Sequence, residues 1–121
     1  MVIERFEDIE AWREARVLVS DIYRLTEPVR DFGFRDQIRR AAVSVMSNIA
    51  EGFERGGNRE FVHFLTISRG SMAEVRSLLY AAQDIGYLQP KQHDELQQRC
   101  HAITKMLNGF IRYLKKSSRN S

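Results

Sequence analysis

Residues 93–114 read HDELQQRCHAITKMLNGFIRYL, and the fold is decided in this stretch. Its apolar residues recur at alternating steps of three and four, which is the spacing of a heptad seam on an α-helix. The residues of the seam are His93, Leu96, Cys100, Ile103, Leu107, Phe110 and Leu114. A helix with one apolar stripe buries that stripe against other helices. The stretch therefore predicts one helix of a bundle, with the Cys100 thiol in the core.

The same periodicity predicts three further helices upstream of this one. The four predicted helices span about residues 8–27, 34–55, 58–86 and 90–116. Residues suited to turns separate them, namely Pro28, Gly56 and Gly86. Asp8 and Asn58 are of the residue types that cap helix N-termini, so they are the predicted caps of the first and third helices.

No run of alternating polar and apolar residues competes with the helical pattern, so no strand is predicted. Four helices joined by short connections pack most simply in alternating directions. The predicted fold is therefore all-α: an antiparallel, up-down-up-down, left-handed four-helix bundle that forms a single domain over residues 1–121. A chain of this length buries a core without help from disulfides or metals.

Composition narrows the class of protein. With 43% hydrophobic and 29% charged residues, the chain is typical of globular domains. Cys100 is the only cysteine, so no disulfide and no cysteine-based zinc site is predicted within the chain. The N-terminus is charged where a signal peptide would be apolar, and no uncharged stretch approaches the ~20 residues of a membrane span. We therefore expect a cytoplasmic protein that is neither exported nor inserted into a membrane.

Positive charge is concentrated near the C-terminus. The chain has a net charge of +3, and residues 96–121 contain six Lys or Arg but no Asp or Glu. Such asymmetry attracts polyanions, although cations also suit the solvated C-terminal end of a helix. The candidate nucleic-acid contacts are Arg39, Arg40, Arg55, Arg59, Arg112, Lys115, Lys116 and Arg119. Acidic residues dilute the first four, which lie around the hairpin between helices 2 and 3, so the C-terminal group is the better candidate.

A line of polar residues accompanies the apolar face of helices 2 and 3. Ser44, Asn48 and Glu51 follow one another at i, i+4 and i+7, and Ser71 and Glu74 form a comparable line. If the two lines face each other, they form either a satisfied polar layer that sets helix register or a pair of carboxylates acting as acid and base. No nucleophile accompanies them, so the predicted role is structural.

The sequence predicts no catalytic, metal or cofactor site. Glu60 and His63 match the E-x-x-H motif of di-iron bundles, but such a centre needs a second E-x-x-H and two more glutamates, and the sequence lacks them. Walker loops and dinucleotide fingerprints are likewise absent from the sequence. We therefore expect no enzymatic activity, no cofactor and no small-molecule substrate.

Several stretches of the chain occur in the same order as in a known family. The central stretch, Ser44–Phe53, reads SVMSNIAEGF. The others read FEDIEAW (6–12), QIRRAA (37–42), EF (60–61), GSMAE (70–74) and GYL (86–88). Over about residues 6–114, the chain thus resembles the four-helix-bundle family encoded in intervening sequences of bacterial 23S rRNA genes, the S23-type ribosomal proteins.

This resemblance implies an all-α homo-oligomer, often a pentameric ring, with no established enzymatic activity and a genomic link to rRNA and the ribosome. The family usually has proline at the position of Met46, so a proline kink in helix 2 is not carried over to this chain. The predicted function is a non-enzymatic, self-assembling interaction protein associated with rRNA or the ribosome. The alternative is an RNA-binding module that uses the basic C-terminal helix and the arginine-rich hairpin.

Overall fold

A computed structural model describes residues 2–120, with side chains described for residues 2–117. Four α-helices follow a short 3₁₀ turn at Phe6–Asp8, and the described residues contain no strand. The helices are α1 (Glu10–Thr26), α2 (Phe32–Glu54), α3 (Asn58–Ile85) and α4 (Pro90–Asn120). The prediction of an all-α fold with four helices is thus confirmed. None of the described helices is long and apolar enough to cross a membrane.

The helix boundaries differ from the predicted ones by a few residues, for local reasons. Asp8 belongs to the 3₁₀ turn, so α1 starts later and the predicted cap at Asp8 is wrong. The second helix starts earlier because the Asp31 carboxylate accepts a hydrogen bond from the backbone N–H of Phe34 at 3.1 Å. Gly57, not Asn58, is the N-cap of α3. The last helix extends to its described end at 120 because no glycine or proline follows residue 109.

Helices that follow one another in the chain pack together, and α1 also packs on α4, so the four helices enclose one core. Burial of each aliphatic core side chain contributes about 1.5–3 kcal/mol. The largest fully buried side chains include Leu18, Ile22, Ile38, Ile49, Leu65, Met72, Leu79, Ile103 and Leu107. Cys100 is fully buried among them, as the heptad spacing predicted. The α1–α4 contact is the least extensive of the four, and a cleft opens along it.

Gly52 sets the distance between α2 and α3. A Cβ atom at this position would lie 2.6 Å from Cβ of Phe64, which is too close, and 3.0 Å from Cδ1 of Phe61, which is tight. The connection that follows is only three residues long and includes Gly56 at φ +88°, a conformation that favours glycine. We call this end of the bundle the hairpin end (residues 52–61 and 110–117).

The opposite end, which we call the capped end (residues 26–34 and 85–93), contains the other two connections. Gly86 terminates α3 in the left-handed conformation, at φ +98°, and the backbone N–H of Tyr87 returns to the Ala82 carbonyl at 2.8 Å. Val29 and Leu88 project from the two connections into the core and are only 4% and 7% exposed. Both loops are therefore pinned to the bundle by buried side chains.

Candidate nucleic-acid interface

The hairpin end brings together the two basic groups that are far apart in the sequence. A cleft of about 230 Å³ is lined by hairpin residues 56–58 and by Tyr113, Leu114 and Ser117 of α4. The cations that flank these two segments are Arg55, Arg59, Arg112, Lys115 and Lys116, and all five are exposed. The hairpin and C-terminal cations thus belong to the two segments that line one cleft, although none of the five lines it.

The cations at this end differ in how they are paired. Arg55 contacts the Glu51 carboxylate at 2.9 Å and lies over the Phe64 ring at 5.0 Å. Exposed ion pairs of this kind contribute only ~0–1 kcal/mol, so Glu51 is easily exchanged for another anion. None of the described ion pairs includes Arg112, Lys115 or Lys116. The α4 cations are therefore the more available ones.

Arg39 is engaged inside the bundle, away from the hairpin end. Its Nε donates to the Thr26 hydroxyl at 2.9 Å, its Nη2 donates to the Tyr23 carbonyl at 3.1 Å, and its guanidinium covers the Tyr23 ring at 4.3 Å. The side chain is only 14% exposed. Arg39 thus ties α2 to the last turn of α1 and is not one of the cations at the hairpin end. Arg40 is exposed in the first half of α2, and the Arg119 side chain lies outside the described residues.

Three of the five residues predicted for the polar layer form one hydrogen-bonded cluster between α2 and α3. The Ser44 and Ser71 hydroxyls are 2.8 Å apart, and Asn48 Nδ2 donates to the Ser44 hydroxyl at 2.9 Å and to its carbonyl at 2.8 Å. Ser68, one turn before Ser71 on α3, adds a buried bond from its hydroxyl to the Val45 carbonyl at 2.7 Å. This part of the layer pins one helix to the other.

The two carboxylates of the predicted layer lie at separate places. Glu51 pairs with Arg55 at the hairpin end, whereas Glu74 accepts a hydrogen bond from Gln37 at 3.4 Å. Gln37 and Glu51 are separated by roughly 20 Å along α2, at ~1.5 Å per residue. Glu51 and Glu74 are thus too far apart to act as an acid–base pair.

Sequence reasoning missed two further contacts that position the helices. One is the close approach at Gly52, for which the available signal was an isolated glycine inside a helical pattern. The other is Arg99 on α4, which contacts Glu14 at 3.2 Å and Asp21 at 3.4 Å on α1. No sequence signal identifies this second contact, because its partners are distant in the chain.

The described side chains include no group of three or more His, Cys, Asp or Glu residues that could hold a metal ion. His63 is exposed and lies edge-on to Phe64, whereas His93 is buried with its Nδ1 at 3.1 Å from the Leu79 carbonyl. Burial raises the pKa of the Cys100 thiol from its ordinary 9.0 to about 12, against the opposing attraction of nearby arginines. At neutral pH this thiol is protonated and inert.

Comparison with known proteins gives a family and a fold. The family model described as 23S rRNA-intervening sequence protein matches residues 7–109. A crystal structure of a protein with unknown function from the S23 ribosomal protein family of Bacteroides thetaiotaomicron is similar, with a TM-score of 0.78 and 20% identity. The similarity covers 84% of this chain and 97% of that chain, and at this identity it shows the fold alone. No curated protein sequence matches the chain significantly.

Proposed function

Since the chain belongs to the 23S rRNA-intervening sequence protein family, we propose that it is a non-enzymatic interaction protein that assembles with further copies of itself. Large hydrophobic side chains outside the core support the proposal, because a second copy would remove some of them from water. Those that are 41–58% exposed are Val17, Tyr23, Phe32, Ile67, Tyr80, Ile85 and Tyr113. The link of the family to rRNA supports a cytoplasmic location, which we propose for such an assembly.

The outer side of α3 is the surface that we propose for self-assembly. Ile67 is 41% exposed there, and one turn further on Gly70 is exposed, with no described neighbour within 4 Å of a Cβ built on it. A hydrophobic side chain beside a glycine lets a second helix approach closely. A stable contact of this type buries about 1,200–2,000 Å² in total.

Light scattering at micromolar concentration tests self-assembly. We expect a mass several times the 14.1 kDa of one chain; a pentamer, the number that the family resemblance implies, would have five times that mass. Ile67→Glu should lower the mass, because it places a charge in the contact. Ile85→Glu at the capped end is the matched control and should leave the mass unchanged. A wild-type protein that scatters as a monomer would contradict the proposal.

We also propose that the four helices alternate in direction, as a left-handed up-down-up-down bundle. The three short connections and the packing of α1 on both α2 and α4 support alternation. The heptad spacing along α4 supports the left-handed sense, because a repeat of 3.5 residues favours left-handed supercoiling.

As a second function, we propose that the hairpin end contacts RNA. The observation that supports it is that five exposed cations belong to the two segments that line one cleft, and the three on α4 have no described acidic partner. The acids Glu51, Glu54 and Glu60 are confined to the α2–α3 side, so RNA phosphates would follow α4. The association of the family with 23S rRNA intervening sequences suits the same partner.

Salt titration of binding to 23S rRNA fragments tests this second function. We expect affinity to fall steeply with salt, and the triple variant Arg112→Gln, Lys115→Gln, Lys116→Gln to reduce the slope by about 0.7 for each single-strand phosphate contact removed. The matched control neutralises Arg24, Arg30 and Lys91 near the capped end and should keep the wild-type slope. Absent or salt-independent binding would rule out the RNA contact.

A further inference from the structure

A cleft of about 480 Å³ opens between the N-terminal segment, the start of α1 and the second half of α4. Its volume falls within the ~300–1,000 Å³ range of sites for small ligands. The lining is largely apolar and includes Ile3, Ile9, Ala11, Met106 and Phe110. Phe110 and Tyr113 line both this cleft and the smaller one beside the hairpin, so the two clefts meet at Tyr113.

Tyr113 is an exposed ring on a rigid support. Its side chain is 57% exposed, although its ring centroid lies 6.4 Å from that of Phe110 at 60°. Phe110 in turn meets Phe61 edge-on at 5.1 Å, and Phe61 meets Phe53 at 6.0 Å. This series of edge contacts runs from the core to the surface, so the ring of Tyr113 is held from one side while much of it remains open to a ligand.

Gly109 deepens the larger cleft at its α4 wall. Among the described atoms, a Cβ at this position would meet only Arg112 Nη2, at 3.9 Å, so no packing contact within the chain requires glycine here. Glycine weakens a helix interior relative to alanine, and Gly109 lies well inside α4. Because Gly109 has no side chain, the cleft is larger and the helix is less stable than it would be with alanine.

Charge around the larger cleft is divided between its two walls. Asp8 and Glu10 line the α1 side together with Arg13, whose Nη1 donates to the Glu7 carbonyl at 3.3 Å. Lys105 lines the α4 side, and the other α4 cations follow within the next turns. Because α4 has no acidic residue after position 95, a polyanion bound at this cleft would run along α4 and avoid the carboxylates of α1.

We propose that the cleft accepts an unpaired base of single-stranded RNA, which stacks on Tyr113 while its phosphates contact the α4 cations. This inference rests on the RNA contact proposed above and names its substrate class. A base is flat and neutral and suits an apolar cleft beside an aromatic ring, whereas the charged backbone suits the lysines and arginine outside it. In a duplex the base faces are already stacked, so the site selects single strands, loops or bulges.

A single-stranded oligoribonucleotide containing 2-aminopurine tests this proposal, because stacking quenches the fluorescence of that base. We expect quenching on binding, and Tyr113→Ala should abolish it and weaken affinity roughly 10-fold or more, as loss of one stacking contact does. Tyr113→Phe should preserve both. Tyr80→Ala is the matched control, because Tyr80 is also 57% exposed but lies near the capped end; it should change neither quenching nor affinity.

A second variant separates the base site from the electrostatic contact. Gly109→Leu fills the cleft and should abolish quenching while leaving the slope of affinity against salt unchanged. If the wild type binds RNA but Tyr113→Ala is equally quenched and equally tight, or duplex binds as well as single strand, the base site is overturned and the RNA contact stands. If the wild type binds no RNA at low salt, both proposals are overturned.

Discussion

The two ends of the bundle are built differently. At the capped end, polar groups hold helix ends together: Arg39 bonds to the last turn of α1, and the Nδ1 atom of His93 lies 3.1 Å from the Leu79 carbonyl. At the hairpin end, a close backbone approach at Gly52 holds the helices, and two clefts remain open near Arg112, Lys115 and Lys116, for which no acidic partner is described. Polar side chains that stabilise the capped end are not available to a partner, whereas those of the hairpin end are.

The largest expected effect comes from breaking the close approach at the hairpin end. Gly52→Ala places a methyl group 2.6 Å from Cβ of Phe64, so α2 and α3 must separate. Overpacking of this kind costs about 1–3 kcal/mol, and we expect a value near the upper end because the obstructing atom is not a flexible side-chain tip. Urea denaturation monitored by circular dichroism measures the change in the free energy of unfolding.

Gly33→Ala is the control for this prediction. Gly33 lies in the first turn of α2, and the nearest atom to a Cβ built there is Asp31 Oδ1 at 3.6 Å, an ordinary contact. Alanine should therefore leave stability unchanged or raise it. Equal effects of the two substitutions would show that Gly52 does not set the helix distance.

Removing the guanidinium of Arg39 at the capped end should have the next largest effect on the free energy of unfolding. Arg39→Met keeps the aliphatic part of the side chain but removes the bonds to the Thr26 hydroxyl and the Tyr23 carbonyl. Loss of bonds to a charged group costs about 1.5–3 kcal/mol, and we expect the lower part of that range because the side chain is partly solvated. Arg40→Met, at the exposed neighbouring position, should change the free energy of unfolding by less than about 0.5 kcal/mol. Similar losses for both variants would argue against a capping role.

Cys100, midway between the two ends on α4, provides a pH-dependent test of the core that they share. Because its pKa is raised to about 12 in the folded protein, the thiol stays protonated there at pH values at which the unfolded thiol has ionised. Its contribution to stability is therefore complete below pH 9.0 and declines as the pH rises from 9.0 toward 12, by at most about 1.4 kcal/mol per pH unit. The free energy of unfolding of Cys100→Ala, measured over the same range, should lack this component. If the free energy of unfolding changed with pH in the same way for both proteins, the thiol would be accessible to water.

The smallest expected effect is a gain in stability, and it comes from Gly109, next to the hairpin end. Gly109→Ala should raise the free energy of unfolding by about 0.5–1 kcal/mol, because alanine favours the helix and meets no described atom closer than 3.9 Å. Thermal unfolding followed by circular dichroism detects the gain. A loss of stability would indicate that this glycine is needed for packing, and not only for the depth of the cleft.

Local patterns predicted the helices well, because hydrophobic periodicity and turn residues are read over a few positions. The heptad seam of α4 is buried as predicted at Leu96, Cys100, Ile103, Leu107 and Leu114. Such local patterns do not predict long-range contacts. The partners of Arg99, for example, lie 78 and 85 residues away in the chain. The same holds for Gly52, whose neighbours belong to the next helix.

The candidate site was predicted in part for the same reason. Ser44, Asn48 and Ser71 do meet, because spacing along two adjacent helices places them on facing sides. Glu51 was assigned to the same layer, but Arg55, four residues on along α2, binds its carboxylate instead. The basic residues were identified individually, whereas their convergence at one end depends on where α4 terminates relative to the hairpin.

Hydroxyl-radical labelling of Tyr113 and Tyr80 tests most directly the claim that the hairpin end is the binding end. The two side chains are of the same type and are both 57% exposed, so they should react similarly in the protein alone. On addition of single-stranded 23S rRNA fragments at low salt, we predict that the oxidation rate of Tyr113, measured by mass spectrometry, falls several-fold while that of Tyr80 is unchanged. Equal protection of both tyrosines, or protection of Tyr80 alone, would contradict this account.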